Sequence, residues 1–167
     1  MPTHPFDTLQ LANGAKLIFT PCPGTKDTSL EQAVATLKEA DVSHIISVMF
    51  NAELEKLNAV TLPDTAKAQE INWLQWPVSD EAGPETAFED AYNASIAQVL
   101  EALANKETIA VHCKGGSGRT GLAIALILKA MGMANEEIIS KVQALRPKAL
   151  KHPVQLAYFE SFVPYSQ

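Results

Sequence analysis

Cysteine is scarce in this chain of 167 residues, which holds only Cys22 and Cys113. Two thiols cannot build a disulfide scaffold, so a reducing compartment is favoured. With no second Cys or His pair at ligand spacing, His112-Cys113 does not read as a metal site, and neither metal nor other cofactor is expected. Long apolar runs are missing too. The longest, Leu122 to Leu128, is too short to span a membrane. The opening M-P-T-H-P-F-D-T has neither the basic nor the apolar region of a signal peptide, so the cytoplasm is the expected location. Basic charge is in deficit: 13 Lys and Arg face 19 Asp and Glu, a net charge of −6 with a pI near 5.2. That balance argues against nucleic acid and membrane as partners. Repeats, linkers and low-complexity tracts are also lacking. The whole of 1–167, with 47% hydrophobic residues, is expected to form a single domain, monomeric in the simplest case and large enough for a sheet covered on both sides.

The informative stretch runs from Thr108 to Met131. Ile109 to Val111 is apolar and partly β-branched, a buried strand that ends at His112 and Cys113. Five residues follow, three of them Gly, and Arg119-Thr120 then opens a segment apolar almost all round, as a fully buried helix is. Strand, glycine turn and buried helix make a phosphate cradle with a cysteine at its base. Gly115, Gly116 and Gly118 permit positive φ and close backbone approach. Successive N–H groups from Lys114 through Ser117 to Gly118 then form an anion-binding nest, which the helix N-terminus reinforces. Under that field the Cys113 thiol is expected to ionise well below the free value of about 8.5 and to act as a nucleophile through a phosphocysteine. Arg119 is a cation at the helix end that prefers anions, which makes sense if its guanidinium grips two phosphoryl oxygens. The Thr120 hydroxyl suits a hydrogen bond to the thiolate, and His112 is expected to orient the loop from below.

Around this core, Thr8 to Cys22 reads as a hairpin about Asn13-Gly14. Cys22 in the turn after it reads as a structural thiol, with a redox partnership with Cys113 as the alternative. Ser29 to Ala40 carries a helical stripe, and Val42 to Phe50 is a second buried strand. Asn51 is expected to cap a short helix through Leu57, with another over Pro63 to Glu70. Ile71 to Val78 is a third strand, and Pro84 to Asn105 a long helix. Asn135 is expected to cap a helix over Glu136 to Leu145, and a last helix follows Arg146-Pro147. Helix and strand alternate as in a parallel sheet, so the fold class is α/β: three layers, a mostly parallel central sheet flanked by helices.

Releasing an alcohol from a phosphate ester requires a proton donor from outside the cradle. No Asp lies downstream of Cys113, and Glu136, Glu137 and Glu160 fall on helical patterns. Upstream, Asp80 follows a strand and opens a loop with Gly83 and Pro84, placed to close over a substrate. That placement makes Asp80 a candidate acid, with a turn-forming Asp as the alternative.

The run H-C-K-G-G-S-G-R-T-G resembles the signature H-C-x5-R-[S/T] of the cysteine-dependent protein tyrosine and dual-specificity phosphatases. Its double glycine looks most like the kinase-associated phosphatase branch. P-V-S-D-E-A-G-P at 77–84 resembles the family's acid loop, P-x-x-D-x-x-x-P, and that resemblance makes Asp80 the chosen acid, with Glu81 as the fallback. The stretch 146–162 resembles its closing segment, which implies that Gln155 reaches the site and positions water. The resemblance implies the phosphotyrosine protein phosphatase-like fold and hydrolysis of phosphotyrosine, and by extension phosphoserine or phosphothreonine, in proteins or peptides. No segment supplies the aromatic loop that deepens the pocket of strictly tyrosine-specific enzymes. A phosphoinositide phosphatase is the alternative, because Lys114 matches a basic loop position of the tensin-type enzymes, although their second loop lysine is Ser117 here. A phosphate-recognition module without turnover is the alternative from another class.

Overall fold

The computed structural model describes residues 4–80 and 82–164. Among them, a five-stranded sheet has the order β1-β2-β5-β3-β4, formed by β1 (Asp7–Gln10), β2 (Lys16–Thr20), β3 (Val42–Ser47), β4 (Asn72–Gln75) and β5 (Thr108–His112). Only the β1–β2 pair is antiparallel; the other neighbours run parallel. The helices are α1 (Leu30–Glu39), α2 (Asn51–Lys56), α3 (Leu62–Ala68), α4 (Thr86–Ala104), α5 (Gly118–Ala130), α6 (Asn135–Leu145) and α7 (Pro153–Ser161).

The period of two along the central strands divides the core between two faces. Leu17, Phe19, Ile46, Ile109 and Val111 pack with side chains of α4 to α7, whereas Ile18, Ile45 and Ala110 pack with α1 and α3. Both faces are thus covered, as a parallel sheet requires and as the α/β reading anticipates. Helix α5 is buried continuously from Arg119 to Leu128, in keeping with its apolar sequence on all sides. It packs tightly: a Cβ on Gly121 would come within 2.5 Å of the Ala149 side chain.

Several boundaries differ from the sequence reading. The hairpin forms, but its connection spans residues 11–15, closed by Leu11 N–H to the Ala15 carbonyl and by the Asn13 side chain accepting from the Ala15 N–H. Strands β3 and β4 stop short of the apolar runs that encode them. In β4 the ladder ends beside Pro77, which has no N–H to donate. Neither asparagine caps its helix. Asn51 and Asn135 are the first residues of α2 and α6, with Phe50 and Ala134 in the cap positions, and the Asn51 side chain instead accepts from Gln75 Nε2. Ser29 does cap α1, in a reciprocal capping box with Gln32.

Three strand ends meet at the centre. Thr20 of β2 and Ser47 of β3 both stand in register with His112 of β5, so the segment after His112 leaves the carboxyl edge of the sheet with a parallel strand on each side. That is where an open α/β sheet offers a ligand crevice.

Candidate active site

Cys113 and Arg119 bracket a loop whose shape follows from one residue. Gly116 has φ +79°, and a Cβ there would lie 2.6 Å from the backbone carbon of Thr20. No other residue fits that conformation and that contact. Gly115 and Gly118 do not use positive φ, contrary to the expectation for all three glycines. A Cβ on Gly115 would meet open space, and one on Gly118 would make ordinary contact with Gln155.

The loop wraps around the sulfur. Cys113 Sγ accepts from the Gly116 N–H at 3.3 Å and from the Thr120 hydroxyl at 3.1 Å, and Cys113 is only 3% exposed. Beneath it lies a chain of hydrogen bonds. Trp73 Nε1 donates to Ser47 Oγ (2.9 Å), Ser47 Oγ lies 2.5 Å from His112 Nε2, and His112 Nδ1 lies 3.1 Å from the Cys113 carbonyl. Burial pushes His112 down to about 4, so the imidazole is neutral. One tautomer then satisfies the whole chain: Ser47 donates to Nε2, and Nδ1–H donates to the carbonyl. His112 thus sits beneath the loop, as expected.

Arg119 is buried, and Glu53 of α2 grips it through both carboxylate oxygens, Nη1 to Oε1 at 2.6 Å and Nη2 to Oε2 at 2.8 Å. Nη1 also donates to the Val78 carbonyl at 3.0 Å. Burial opposes the charge on Arg119, but the Glu53 hydrogen bonds and the surrounding acidic groups hold the guanidinium above its ordinary value. The same hydrogen bonds hold Glu53 below the usual carboxylate range, against its burial. The donor inventory then decides the orientation. Both Nη1 protons and one Nη2 proton are used, whereas Nε–H and the second Nη2–H have no hydrogen-bond partner among the described residues. These two point along one edge, the fork that matches two phosphoryl oxygens.

Asp80 stands beside that fork, with Oδ1 3.5 Å from Nη2 and its side chain 65% exposed. Glu81 lies outside the described residues. Gln155 is buried, donates from Nε2 to the Ala82 carbonyl at 3.3 Å, and faces Gly118. It therefore ties the loop bearing Asp80 to the start of α5. Lys114 is exposed at the mouth and Ser117 is partly buried. Cys113, Lys114, Gly115, Ser117, Gly118, Arg119, Asp80 and Gln155 all line one cavity of about 560 Å³. Among the described residues no three His, Cys, Asp or Glu side chains form a metal-binding group, and no helix is long and apolar enough to cross a membrane.

Besides Trp73 and Ser47 beneath the loop, Glu53 and Arg146 escaped the sequence reading. Glu53 sits in an unremarkable N-A-E-L-E-K helix. Arg146, read only as a helix terminator, donates from Nε to the Gly116 carbonyl at 2.9 Å and from Nη2 to the Phe19 carbonyl at 3.3 Å, and pairs with Asp7. A buried cation demands an anion, so Arg119 signals that some carboxylate is near, but not which one. Cys22 is fully buried in an apolar cluster that also contains Cys113, Met49, Leu54 and Ala59. Both thiols are free, and burial pushes Cys22 up to about 12.

The chain is similar to known proteins. The family described as the DSP-PTPase phosphatase domain of Swiss Army Knife proteins matches residues 23–156. Mouse (Mus musculus) protein tyrosine phosphatase type IVA 2 is 29% identical over 127 residues, 69% of this chain and 73% of that one. The 197R protein of Invertebrate iridescent virus 6 is 30% identical over 82 residues, 48% of this chain but only 29% of that one. Among solved structures, kinase associated phosphatase with its catalytic-site cysteine replaced by serine superposes with a TM-score of 0.84 at 22% identity, covering 97% of this chain and 95% of that one. PTPMT1 in complex with PI(5)P gives 0.68 at 18% identity, covering 86% and 87%. The cradle built on Cys113 and Arg119 lies within the matched residues, and the chain belongs to the DSP-PTPase family of phosphatases.

Proposed function

We propose that this protein hydrolyses phosphate monoesters on phosphorylated proteins, phosphotyrosine foremost, through a phosphocysteine on Cys113. The observation that carries the reading is the sulfur held by Gly116 N–H and the Thr120 hydroxyl beside the open edge of Arg119. The N–H groups from Lys114 to Gly118 and the Nε/Nη2 edge hold the phosphoryl oxygens. Cys113 attacks phosphorus as the thiolate; the P–O bond to the substrate breaks, and Asp80 gives its proton to the departing oxygen. A water then attacks the phosphocysteine, Asp80 takes its proton, and the S–P bond breaks with the Thr120 hydroxyl stabilising the thiolate. Gln155 holds the Asp80 loop in place through Ala82, a role added to the water positioning that the family resemblance implies. The chemistry needs no metal.

The relatives named protein tyrosine phosphatase support a protein substrate. A phosphoinositide is the second reading, favoured by Lys114 at the cavity mouth and by the PI(5)P bound in the PTPMT1 structure. The test is turnover of phosphopeptides and inositol phosphates by the wild type and by Cys113→Ser. Hydrolysis of phosphopeptides that falls by at least about 10⁴-fold in the variant, with vanadate still bound, supports the reading. Retained turnover in the variant, or vanadate binding without turnover in the wild type, contradicts it.

A further inference from the structure

A second cavity, of about 460 Å³, adjoins the one that holds Cys113 and shares Leu57, Asp80 and Lys114 with it. The phosphate cradle lines the first; this groove is built on α2 and its two ends, where Phe50, Ala52 and Leu57 give it an apolar wall. Glu53 lines it as well, but Arg119 holds both of its carboxylate oxygens. The exposed Lys56 and Lys114 leave their ammonium groups in water and offer the groove their apolar stems. Apolar surface thus lies directly beside Asp80.

Phe50 is out of place by local rules. It holds the N-cap position of α2, where its side chain makes no capping hydrogen bond. That position favours Asn, Asp, Ser or Thr, and Asn51 stands next to it unused as a cap. Among the described residues Phe50 is the one aromatic side chain in the set of exposed large apolar residues, at 38%. It also lines a narrow crevice with Pro77, Val78 and Gly83, at the two ends of the Asp80 loop. A ring so placed serves neither the helix nor the core, and it gains only when something apolar covers it.

Resting on the protein-phosphatase reading, we infer that this groove is a subsite for an apolar side chain next to the scissile phosphotyrosine, and that Phe50 is the residue that reads it. The two cavities meet at Asp80, Leu57 and Lys114, so a peptide whose phosphate lies in the cradle runs past the groove as it leaves. Consecutive Cα atoms are about 3.8 Å apart, which brings the flanking side chain, rather than a distant one, to Phe50. The groove also favours a peptide over an inositol lipid. An inositol ring sets hydroxyl groups beside its phosphate, and these gain nothing against Phe50 and Leu57. An aliphatic or aromatic side chain covers both and leaves no polar group unpaired.

The experiment compares kcat/KM for two phosphotyrosine peptides that differ only at the positions flanking the phosphotyrosine, Leu in one and Ala in the other. Wild type should prefer the Leu peptide by about five- to tenfold, the effect of covering part of an aliphatic side chain. Phe50→Asn should remove most of that preference, and Phe50→Trp should keep it. Asn is a favoured cap, so Phe50→Asn retains α2, and an aryl monophosphate, too small to reach the groove, reports on its cradle. Equal kcat/KM for both peptides in wild type, or a preference that survives Phe50→Asn, overturns the inference alone. So does an equal loss on the aryl phosphate and both peptides, which would make Phe50 a support of the Asp80 loop. A short-chain phosphoinositide turned over faster than either peptide by wild type but not by Phe50→Asn would give the groove to an acyl chain and overturn the inference too. Turnover of the aryl phosphate with neither peptide hydrolysed overturns the protein-phosphatase reading and the inference with it.

Discussion

The cradle from Cys113 to Arg119 and the loop bearing Asp80 face the same cavity but are held in different ways. The cradle is fixed from several sides: the Trp73–Ser47–His112 chain beneath, Arg146 behind, Glu53 on the guanidinium and Thr20 against Gly116. The loop rests on few contacts. Gln155 holds Ala82, and Gly83 lies so close to Val154 that a Cβ would come within 2.7 Å of its Cγ1. A site that binds a dianion must have its donors in place before the ligand arrives, because reorganising them during the reaction raises the barrier. In the proposed mechanism the proton donor has only to reach the leaving group, which suits an exposed carboxylate on a lightly fastened loop.

The largest expected effect on that contrast comes from removing the proton. Asp80→Asn should slow hydrolysis of phenyl or alkyl phosphates by about 10²- to 10⁴-fold and that of an activated aryl phosphate much less, because its phenolate leaves unaided. Equal losses on both substrates would place Asp80 in the cradle's work instead. Next is Glu53→Gln, which weakens the clamp on Arg119. A loss of about ten- to thirtyfold in kcat/KM is expected on every substrate alike. A loss that depends on the leaving group would tie Glu53 to the loop.

A smaller effect is expected from Gly83→Ala, which forces the loop away from Val154. Turnover of phenyl phosphate should fall about five- to tenfold, as a displaced acid would cause, and Gly83→Ala/Val154→Ala should restore it. Failure of the double variant to recover would mean that this contact does not set the loop. A further effect lies outside catalysis and is read in stability. His112 is held at about 4 against an ordinary 6.5, so the unfolded chain binds a proton between those values that the folded chain does not. Stability should therefore be at its full value above about pH 6.5 and decline as pH falls toward about 4, by about 3 kcal/mol from this group. Buried His4, also held down to about 4, acts in the same direction. Urea midpoints across that range check it, and a flat profile would show that His112 takes its proton without unfolding.

Contiguity separates what was legible in the sequence from what was not. Cys113, Gly116, Arg119 and Thr120 lie within eight positions, and the local chemistry of a thiol, a glycine turn and a helix start makes sense only together. Asp80 was a candidate by elimination and became the chosen one through the resemblance of its loop; the structure places it in the cavity beside Arg119. Glu53 was not, because nothing in its helix distinguishes it from Glu55 until α2 is packed against the start of α5. Ser47 meets His112 through strand register, which no local pattern specifies. The two asparagines show the limit of local rules: each has the side chain of a cap, yet the preceding residue takes the cap position.

The most direct measurement is the trapping of the phosphorylated enzyme. Asp80→Asn lacks the base for the second step, so rapid acid quench during turnover of an activated aryl phosphate should leave protein heavier by one phosphoryl group, mapped to the peptide containing Cys113. Cys113→Ser treated in the same way should gain nothing. Steady turnover with no phosphorylated protein, or a phosphoryl group on any residue other than Cys113, would contradict the phosphocysteine mechanism.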